Sequence, residues 1–364
     1  MAKINIQRVL VAPLDWGLGH ATRCIPIIKA LLQHQYSVFV ACNATQQSLL
    51  EKEFSNIQFI ELDGYNIKYT KQKWWFPFKM VLQVNRIYKT IKKEHIWLQN
   101  IIETYQIDMV ISDNRYGLHS TKIPCVFITH QLLVKAPFHW LELCIQKQLY
   151  KYIQQFSSVW VPDFASENQI AGKLSHPTQK PTIPIHYIGI LSRFDVIKNV
   201  TNLYRYCIII SGPEPQRTLL EEIIFKQIQN TIQPIVVVRG LLKATNVLST
   251  NNSNITIYNH LDGASLNAVI QSSEFIVCRS GYTTIMELLH LQKKAILIAT
   301  PGQTEQEYLA QLLHEKKYAV CVPQNRFNFQ KVTDLADAFV YKTPDASFSQ
   351  QALSNQIHFL IQQL

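Results

Sequence analysis

Short apolar runs rich in β-branched residues recur along the chain, each followed by a helical pattern. The first set is RVLVA (8–12), SVFVAC (37–42), IQFIEL (57–62), DMVIS (108–112), PCVFIT (124–129), SSVWVP (157–162) and IHYIGI (185–190). Runs that are apolar throughout, rather than alternating, predict parallel strands covered on both faces. Between the first two, TRCIPIIKALLQHQ (22–35) repeats its apolar positions at helical spacing. The pattern then restarts with YCIIISG (206–212), PIVVVRG (234–240), NITIYNH (254–260), EFIVCRSG (274–281), KAILIAT (294–300) and YAVCVP (318–323). The expected architecture is α/β, with two doubly wound Rossmann-like domains. Their expected limits are 1–190 and 205–340, joined by a hinge near 191–204 in a region rich in proline and polar residues. A terminal helix within 341–364 is expected to cross back onto the first domain.

Doubly wound sheets bind ligands beyond the carboxyl ends of their strands. Two such domains facing each other place those ends on one interdomain cleft, so the informative residues are sought just after strands.

The 364 residues comfortably accommodate two domains, and 47% of them are apolar, enough for two cores. The formal charge of +10 points to an anionic partner, a nucleotide or a phospholipid surface. No nucleic-acid-binding motif is present, so nucleic acid is not expected as a partner. The seven cysteines are scattered without CxxC spacing, which argues for reduced thiols and against a zinc site. The N-terminal apolar run is too short for a signal peptide, and no run reaches the ~18 apolar residues of a membrane span. A protein of the cytoplasm, or one peripheral on the inner face of the cell membrane, is expected.

Four post-strand segments carry candidate chemistry. In CRSGYTTIMELL (278–289) a turn runs into a helix start, whose unpaired amides and partial positive charge suit a diphosphate. Ser280, Gly281, Thr283 and Thr284 lie there, and Glu287 sits a turn further on, placed to accept from a ribose diol. The other reading of the same residues is a capped helix, with Ser280 or Thr283 as cap and Glu287 closing a capping box. In TPGQTEQEYLAQLL (300–313), Glu305 and Gln306 open a helix, either toward sugar hydroxyls or as ordinary polar first-turn residues. In WGLGHATRC (16–24), Gly17 and Gly19 allow a tight turn that presents His20, a side chain with the right chemistry for a general base. Asp113, after the strand at 108–112, can orient that imidazole, or can simply serve the turn. His130 also ends a strand, on the acceptor side. Asp15 and Arg23 bracket the glycine loop, and a structural role suits each equally well.

The pair of segments CRSGYTTIMELL (278–289) and ILIATPGQTEQEYLA (296–310) resembles the C-terminal domain of the MurG-type glycosyltransferases, family 28, of GT-B fold. The resemblance implies that Glu287 binds a uridine ribose and that Ser280, Gly281 and Thr284 sit at the diphosphate. It places Glu305 and Gln306 at the donor sugar, although the segment before Gln306 departs from the family pattern. IGILSR (188–193) is similar to the family's GNP-x-R segment, which implies that Arg193 reaches the diphosphate. SGPEPQR (211–217) takes the place of a glycine-rich loop; its prolines remove amide donors, so only Ser211 and Gly212 carry over. GLGHATR resembles the G-x-G-H-x-x-R loops of GT-B enzymes, where a histidine acts as base with an aspartate behind it. No D-x-D pair is present, which suits a GT-B site that works without a metal or other cofactor.

YNIKYTKQKWWFPFKMVLQVNRIYKTIKKEHIW (65–97) interleaves lysines with Trp74, Trp75, Phe76, Phe78 and Met80. It fits either an anionic membrane interface or a solvated basic helix with its aromatics packed inside. The expected activity is an inverting transfer of a sugar from a UDP-sugar, with N-acetylglucosamine favoured, to a hydroxyl acceptor, a lipid-linked one or a cell-envelope glycan among the options. Rival readings are a UDP-sugar hydrolase, which GLGHATRC also resembles, and an inactive UDP-sugar-binding protein.

Overall fold

A computed structural model describes residues 6–65, 76–136, 138–165, 168–242, 244–246, 248–344 and 349–364, with the backbone alone over 76–84. The described residues form two compact units, and the chain passes from the first to the second between Leu191 and Ser192.

The first unit is a seven-stranded sheet of β1 (Arg8–Pro13), β2 (Ser37–Cys42), β3 (Gln58–Glu61), β4 (Met109–Asp113), β5 (Cys125–Ile128), β6 (Ser158–Val161) and β7 (Ile185–Tyr187). Its spatial order is β3-β2-β1-β4-β5-β6-β7, and every neighbouring pair is parallel. Helices α1 (Leu18–Gln33), α2 (Ala44–Leu50), α3 (Phe76–Tyr105) and α4 (His139–Ile153) connect the strands. The continuous apolar runs are explained by this cover: Val9, Leu10, Val11, Val110, Ile111, Val126 and Phe127 are fully buried. The order reverses between β1 and β4, so the carboxyl ends of these two strands flank the switch point of the sheet.

The second unit repeats the scheme with β8 (Tyr204–Ile209), β9 (Ile235–Val238), β10 (Ile255–Tyr258), β11 (Ser273–Cys278), β12 (Lys294–Leu297) and β13 (Ala319–Cys321). The order is β10-β9-β8-β11-β12-β13, again all parallel, with the reversal between β8 and β11. Its helices are α5 (Gln216–Ile228), α6 (Gly263–Gln271), α7 (Tyr282–His290), α8 (Thr304–Glu315) and α9 (Phe329–Ala338). The last helix, α10 (Gln350–Gln362), belongs to the first unit, where it packs on α1 and stacks His358 on His34 at 4.1 Å. Residues 341–344, expected to open that helix, are not helical.

α3 is a 30-residue helix, and one buried network anchors its second half. Arg115, fully buried just after β4, donates from Nη1 to Glu94 Oε1 at 2.8 Å, and from Nε to the Pro13 carbonyl at 2.9 Å. Glu94 Oε2 accepts from the Tyr65 hydroxyl at 2.8 Å and from the Gly117 amide at 3.2 Å. Burial pushes the Glu94 carboxyl up, and the Arg115 charge works against that rise. In the second unit Glu221 holds two cations at once: it accepts from Arg217 Nη1 at 2.7 Å and from Arg239 Nη2 at 2.8 Å. The aromatic part of the basic segment falls differently. Trp74 and Trp75, and the side chains of Phe76, Phe78 and Met80, lie outside the described residues.

Among the described residues, no helix is long and apolar enough to cross a membrane.

Candidate functional site

The first candidate constellation lies at the switch point of the first sheet. β1 ends at Pro13, which is in register with Asp113, the last residue of β4. The chain then turns through Gly17, whose φ of 81° is the left-handed backbone that glycine adopts without strain. That turn starts α1 with no side-chain cap. His20, Arg23 and Cys24 follow at i, i+3 and i+4, one face of the helix, and this face meets Asp113. His20 Nδ1 lies 2.9 Å from Asp113 Oδ2. Arg23 grips the same carboxylate twice, from Nε to Oδ2 at 2.9 Å and from Nη2 to Oδ1. Its third nitrogen, Nη1, is 3.3 Å from His130 Nδ1, and His130 follows β5 by two residues. The structure thus brings His20, Asp113 and His130 together, and adds Arg23 as their common partner.

Asp113 is fully buried, and Arg23 is 2% exposed. Burial works against the carboxylate charge, but Arg23 and His20 outweigh it and hold Asp113 below the usual carboxyl range. His20 is mostly buried, with 16% of its side chain exposed. Burial and the Arg23 charge lower its pKa, against the opposing pull of Asp113. The imidazole is therefore neutral near pH 7. An ionised carboxylate at Nδ1 accepts a hydrogen bond from it, so Nδ1 carries the hydrogen and Nε2 keeps the lone pair. Such a group can take a proton from a hydroxyl or from water.

The second constellation lies at the switch point of the second sheet. Ser211 and Gly212 follow β8, and Gly212 adopts φ 112°. Arg279, Ser280 and Gly281 follow β11 and lead into α7. Gly281 is the N-cap, and no side chain caps this helix. The capping-box reading is overturned, because the residues it needed are engaged elsewhere. Ser280 Oγ donates to the Gln306 carbonyl at 2.8 Å, and Glu287 accepts from Arg193 Nε at 2.9 Å. Thr283 and Thr284, half-buried, form the first turn of α7. Gln306 is held at both ends of its amide: it accepts from the Thr300 amide at 3.0 Å and donates to Gln303 at 2.5 Å. Glu305 stands beside it in the first turn of α8.

Arg193 and Glu287 were expected to serve separate parts of a nucleotide, and instead they form one pair. Burial raises the Glu287 carboxyl, and Arg193 opposes the rise. The Arg193 guanidinium also stacks on Phe194, with its centre 4.6 Å from the ring centroid.

The glycines separate by environment. A Cβ on Gly64 would meet Asp15 at 1.9 Å, and one on Gly240 would meet the Ile210 carbonyl at 2.5 Å. At Gly17, Gly212 and Gly281 a Cβ would meet nothing within 4 Å. These three lie at the two switch points, where open space beside backbone lets a ligand approach closely.

Arg279, inside the RSG turn, was not singled out from sequence. It is 2% exposed and donates to backbone carbonyls, Gln216 at 2.8 Å and Ile298 and Ala299 at 3.3 Å. Its burial lowers its pKa to about 10. Among the described residues, no group of three or more His, Cys, Asp or Glu could hold a metal ion.

Residues 216–361 match the glycosyltransferase family 28 C-terminal domain. An uncharacterized glycosyltransferase of Methanosarcina acetivorans is 22% identical over 340 residues, 86% of this chain and 84% of that protein. The UDP-N-acetylglucosamine--N-acetylmuramyl-(pentapeptide) pyrophosphoryl-undecaprenol N-acetylglucosamine transferase of Pasteurella multocida is 20% identical, over 93% of this chain and 90% of its own length. Among solved structures, the glycotransferase of kitacinnamycin superposes with a TM-score of 0.65 at 11% identity, covering 98% of this chain and 95% of its own. MurG of Acinetobacter baumannii superposes with a TM-score of 0.52 at 14% identity, with the same coverage. Both solved structures share the GT-B fold with this chain. Two parallel doubly wound sheets give the chain the GT-B fold of these structures, and its residues 216–361 match the glycosyltransferase family 28 C-terminal domain, so the chain is similar to the MurG-like glycosyltransferases.

Proposed function

We propose that the protein is an inverting glycosyltransferase that moves a sugar, N-acetylglucosamine by preference, from a UDP-sugar to a hydroxyl acceptor. The observation that carries this reading is the buried His20–Asp113 contact of 2.9 Å at the switch point of the first sheet. Nδ1 is committed to the carboxylate, and Nε2 is left as the proton acceptor. In the proposed step His20 Nε2 takes the acceptor's hydroxyl proton. The freed oxygen forms a bond to the anomeric carbon while the bond from that carbon to the diphosphate oxygen breaks, and its electron pair leaves with UDP. Asp113 stabilises the imidazolium that results. At the second sheet the start of α7, with Ser280, Gly281, Thr283 and Thr284, is proposed to hold the diphosphate. Ser211 and Gly212 face it across the switch point, and Glu305 and Gln306 are assigned to the donor sugar.

Glu287 and Arg193 are assigned to the ribose and the diphosphate, and their pairing sets a condition. A nucleotide must either insert beside the pair or draw Arg193 away from Glu287. The reaction is proposed to need no metal or other cofactor, with helix amides and Arg193 offsetting the charge on the leaving group.

The acceptor is proposed to be lipid-linked or part of a cell-envelope glycan, and the protein to work on the inner face of the cell membrane. Phe138, Trp140 and Leu143, at the start of α4, are exposed, and Phe138 stacks on Trp140 with centroids 6.3 Å apart. Lys147 and Lys151 lie further along the same helix. Aromatics beside lysines suit an anionic lipid surface, as does the basic segment 65–97.

UDP release from UDP-N-acetylglucosamine, measured with and without a membrane extract, tests the reading. A transferase releases UDP only when acceptor is present. Fast release without acceptor contradicts it and assigns His20 to the activation of water.

A further inference from the structure

The two histidines at the first switch point are not independent, because one guanidinium touches both His130 and the carboxylate partner of His20. Arg23 spends Nε and Nη2 on the two oxygens of Asp113, a planar fork on a planar carboxylate. The same Asp113 Oδ2 that faces Arg23 Nε is the one that faces His20 Nδ1. Rotation of the carboxylate would break either contact, so the fork fixes the direction in which Oδ2 points at the imidazole. Arg23 Nη1, a nitrogen that can only donate, meets His130 Nδ1 at 3.3 Å. The other ring nitrogen of His130 lies 3.5 Å from the Gln131 side-chain amide nitrogen, which also can only donate, so both ring nitrogens of His130 face donors.

We propose that Arg23 is a positioning residue that fixes the Asp113 carboxylate and, through it, holds His20 as the tautomer whose Nε2 supplies the lone pair. The assignment rests on the reading of His20 as the base, and goes beyond it by naming what prepares the base.

The groups facing His20 account for this behaviour. From its own helix come Arg23 and Cys24, from β4 comes Asp113, and from the loop after β5 comes His130. Cys24 has its thiol pushed well up by burial and stays uncharged. Arg23 and His130 lower the His20 pKa, and Asp113 raises it. The Arg23 charge, fixed at all working pH, blunts the pull of a carboxylate that would otherwise keep His20 protonated. A base that must be empty before each turnover gains from that blunting.

The test is a nitrogen-15 titration of the labelled histidines in the full-length protein, read beside kcat and KM. In the unmodified protein at pH 7, His20 is expected as the Nδ1–H tautomer, and an Nε2–H tautomer of His20 overturns the proposal without any variant. In Arg23→Gln the His20 pKa is expected to rise by about one unit, the size of a near charge removed. The acid limb of kcat should rise with it, and the KM for UDP-sugar should hold. In Arg23→Lys the charge remains but the fork is lost, so the His20 pKa should stay near its original value while kcat falls about tenfold. A folded Arg23→Gln with an unmoved His20 titration, or full kcat in Arg23→Lys, refutes it. The titration reads the effect of Arg23 on His20 directly, so a failed transfer assay and a failed Arg23 proposal remain distinct results.

Discussion

Replacing Gly281 with alanine probes the proposed diphosphate site at the point where the structure leaves room for it. The backbone there has φ −73° and ψ 135°, an extended conformation open to any residue. The added methyl would meet nothing within 4 Å, so no packing cost arises. Two smaller effects oppose each other. Alanine restricts the unfolded chain, which stabilises by about 0.4–1 kcal/mol. As an N-cap, alanine is poorer than glycine by roughly 0.5–1 kcal/mol. These nearly cancel, and the folding stability of the variant should match the original within about 0.5 kcal/mol. UDP binding should not match. If the diphosphate approaches the Gly281 backbone, the methyl occupies its place, and overpacking of that kind costs about 1–3 kcal/mol. That corresponds to a loss of affinity of about 5- to 150-fold. Calorimetric titration with UDP reads the affinity, and denaturant unfolding reads the stability. UDP bound equally well by Gly281→Ala would refute the placement of the diphosphate at this turn.

Other outcomes follow from the buried charges. Asp113→Asn leaves the Arg23 cation, 2% exposed, without its carboxylate, and should destabilise by about 3–5 kcal/mol in urea unfolding. The acid limb of kcat/KM should fall off below 6.5, because the neutral form of His20 is the active one and its pKa is lowered. The same lowering means that the folded state holds fewer protons than the unfolded state just below pH 6.5. The His20 contribution to stability is therefore present above 6.5 and lost as pH falls; urea midpoints across pH 5–8 in the original and in His20→Gln check the sign. Phe138→Ser combined with Trp140→Ser should reduce sedimentation with vesicles containing anionic lipid and leave turnover of a soluble acceptor unchanged.

The fold was legible because parallel strands covered on both faces leave continuous apolar runs, and α/β alternation repeats them. The candidate residues at the strand ends were legible for the same reason: a doubly wound sheet exposes its chemistry there, and His20, Asp113, Gly212 and Ser280 all lie at a reversal of strand order. What the sequence hid was partnership. Arg23 read equally well as a structural residue, because its carboxylate lies 90 positions away. Arg193 and Glu287, 94 positions apart, were seen singly and not as a pair. Arg115 with Glu94, and Arg239 with Glu221, gave no local signal, since residues that neutralise each other across elements share no spacing. Arg217 with Glu221, at i and i+4, stood where a helix surface pairs charges. Ser280 read as a cap by residue type, yet its hydroxyl went to the Gln306 carbonyl.

The account stands most directly on His20. Its replacement by alanine leaves the Arg23–Asp113 pair in place, so the protein should fold. The decisive measurement sets turnover of UDP-N-acetylglucosamine against UDP affinity in His20→Ala at pH 7.5. The account predicts that turnover falls by at least about 100-fold, the low end for loss of a general base, while the Kd for UDP stays unchanged. Normal turnover in His20→Ala would contradict it.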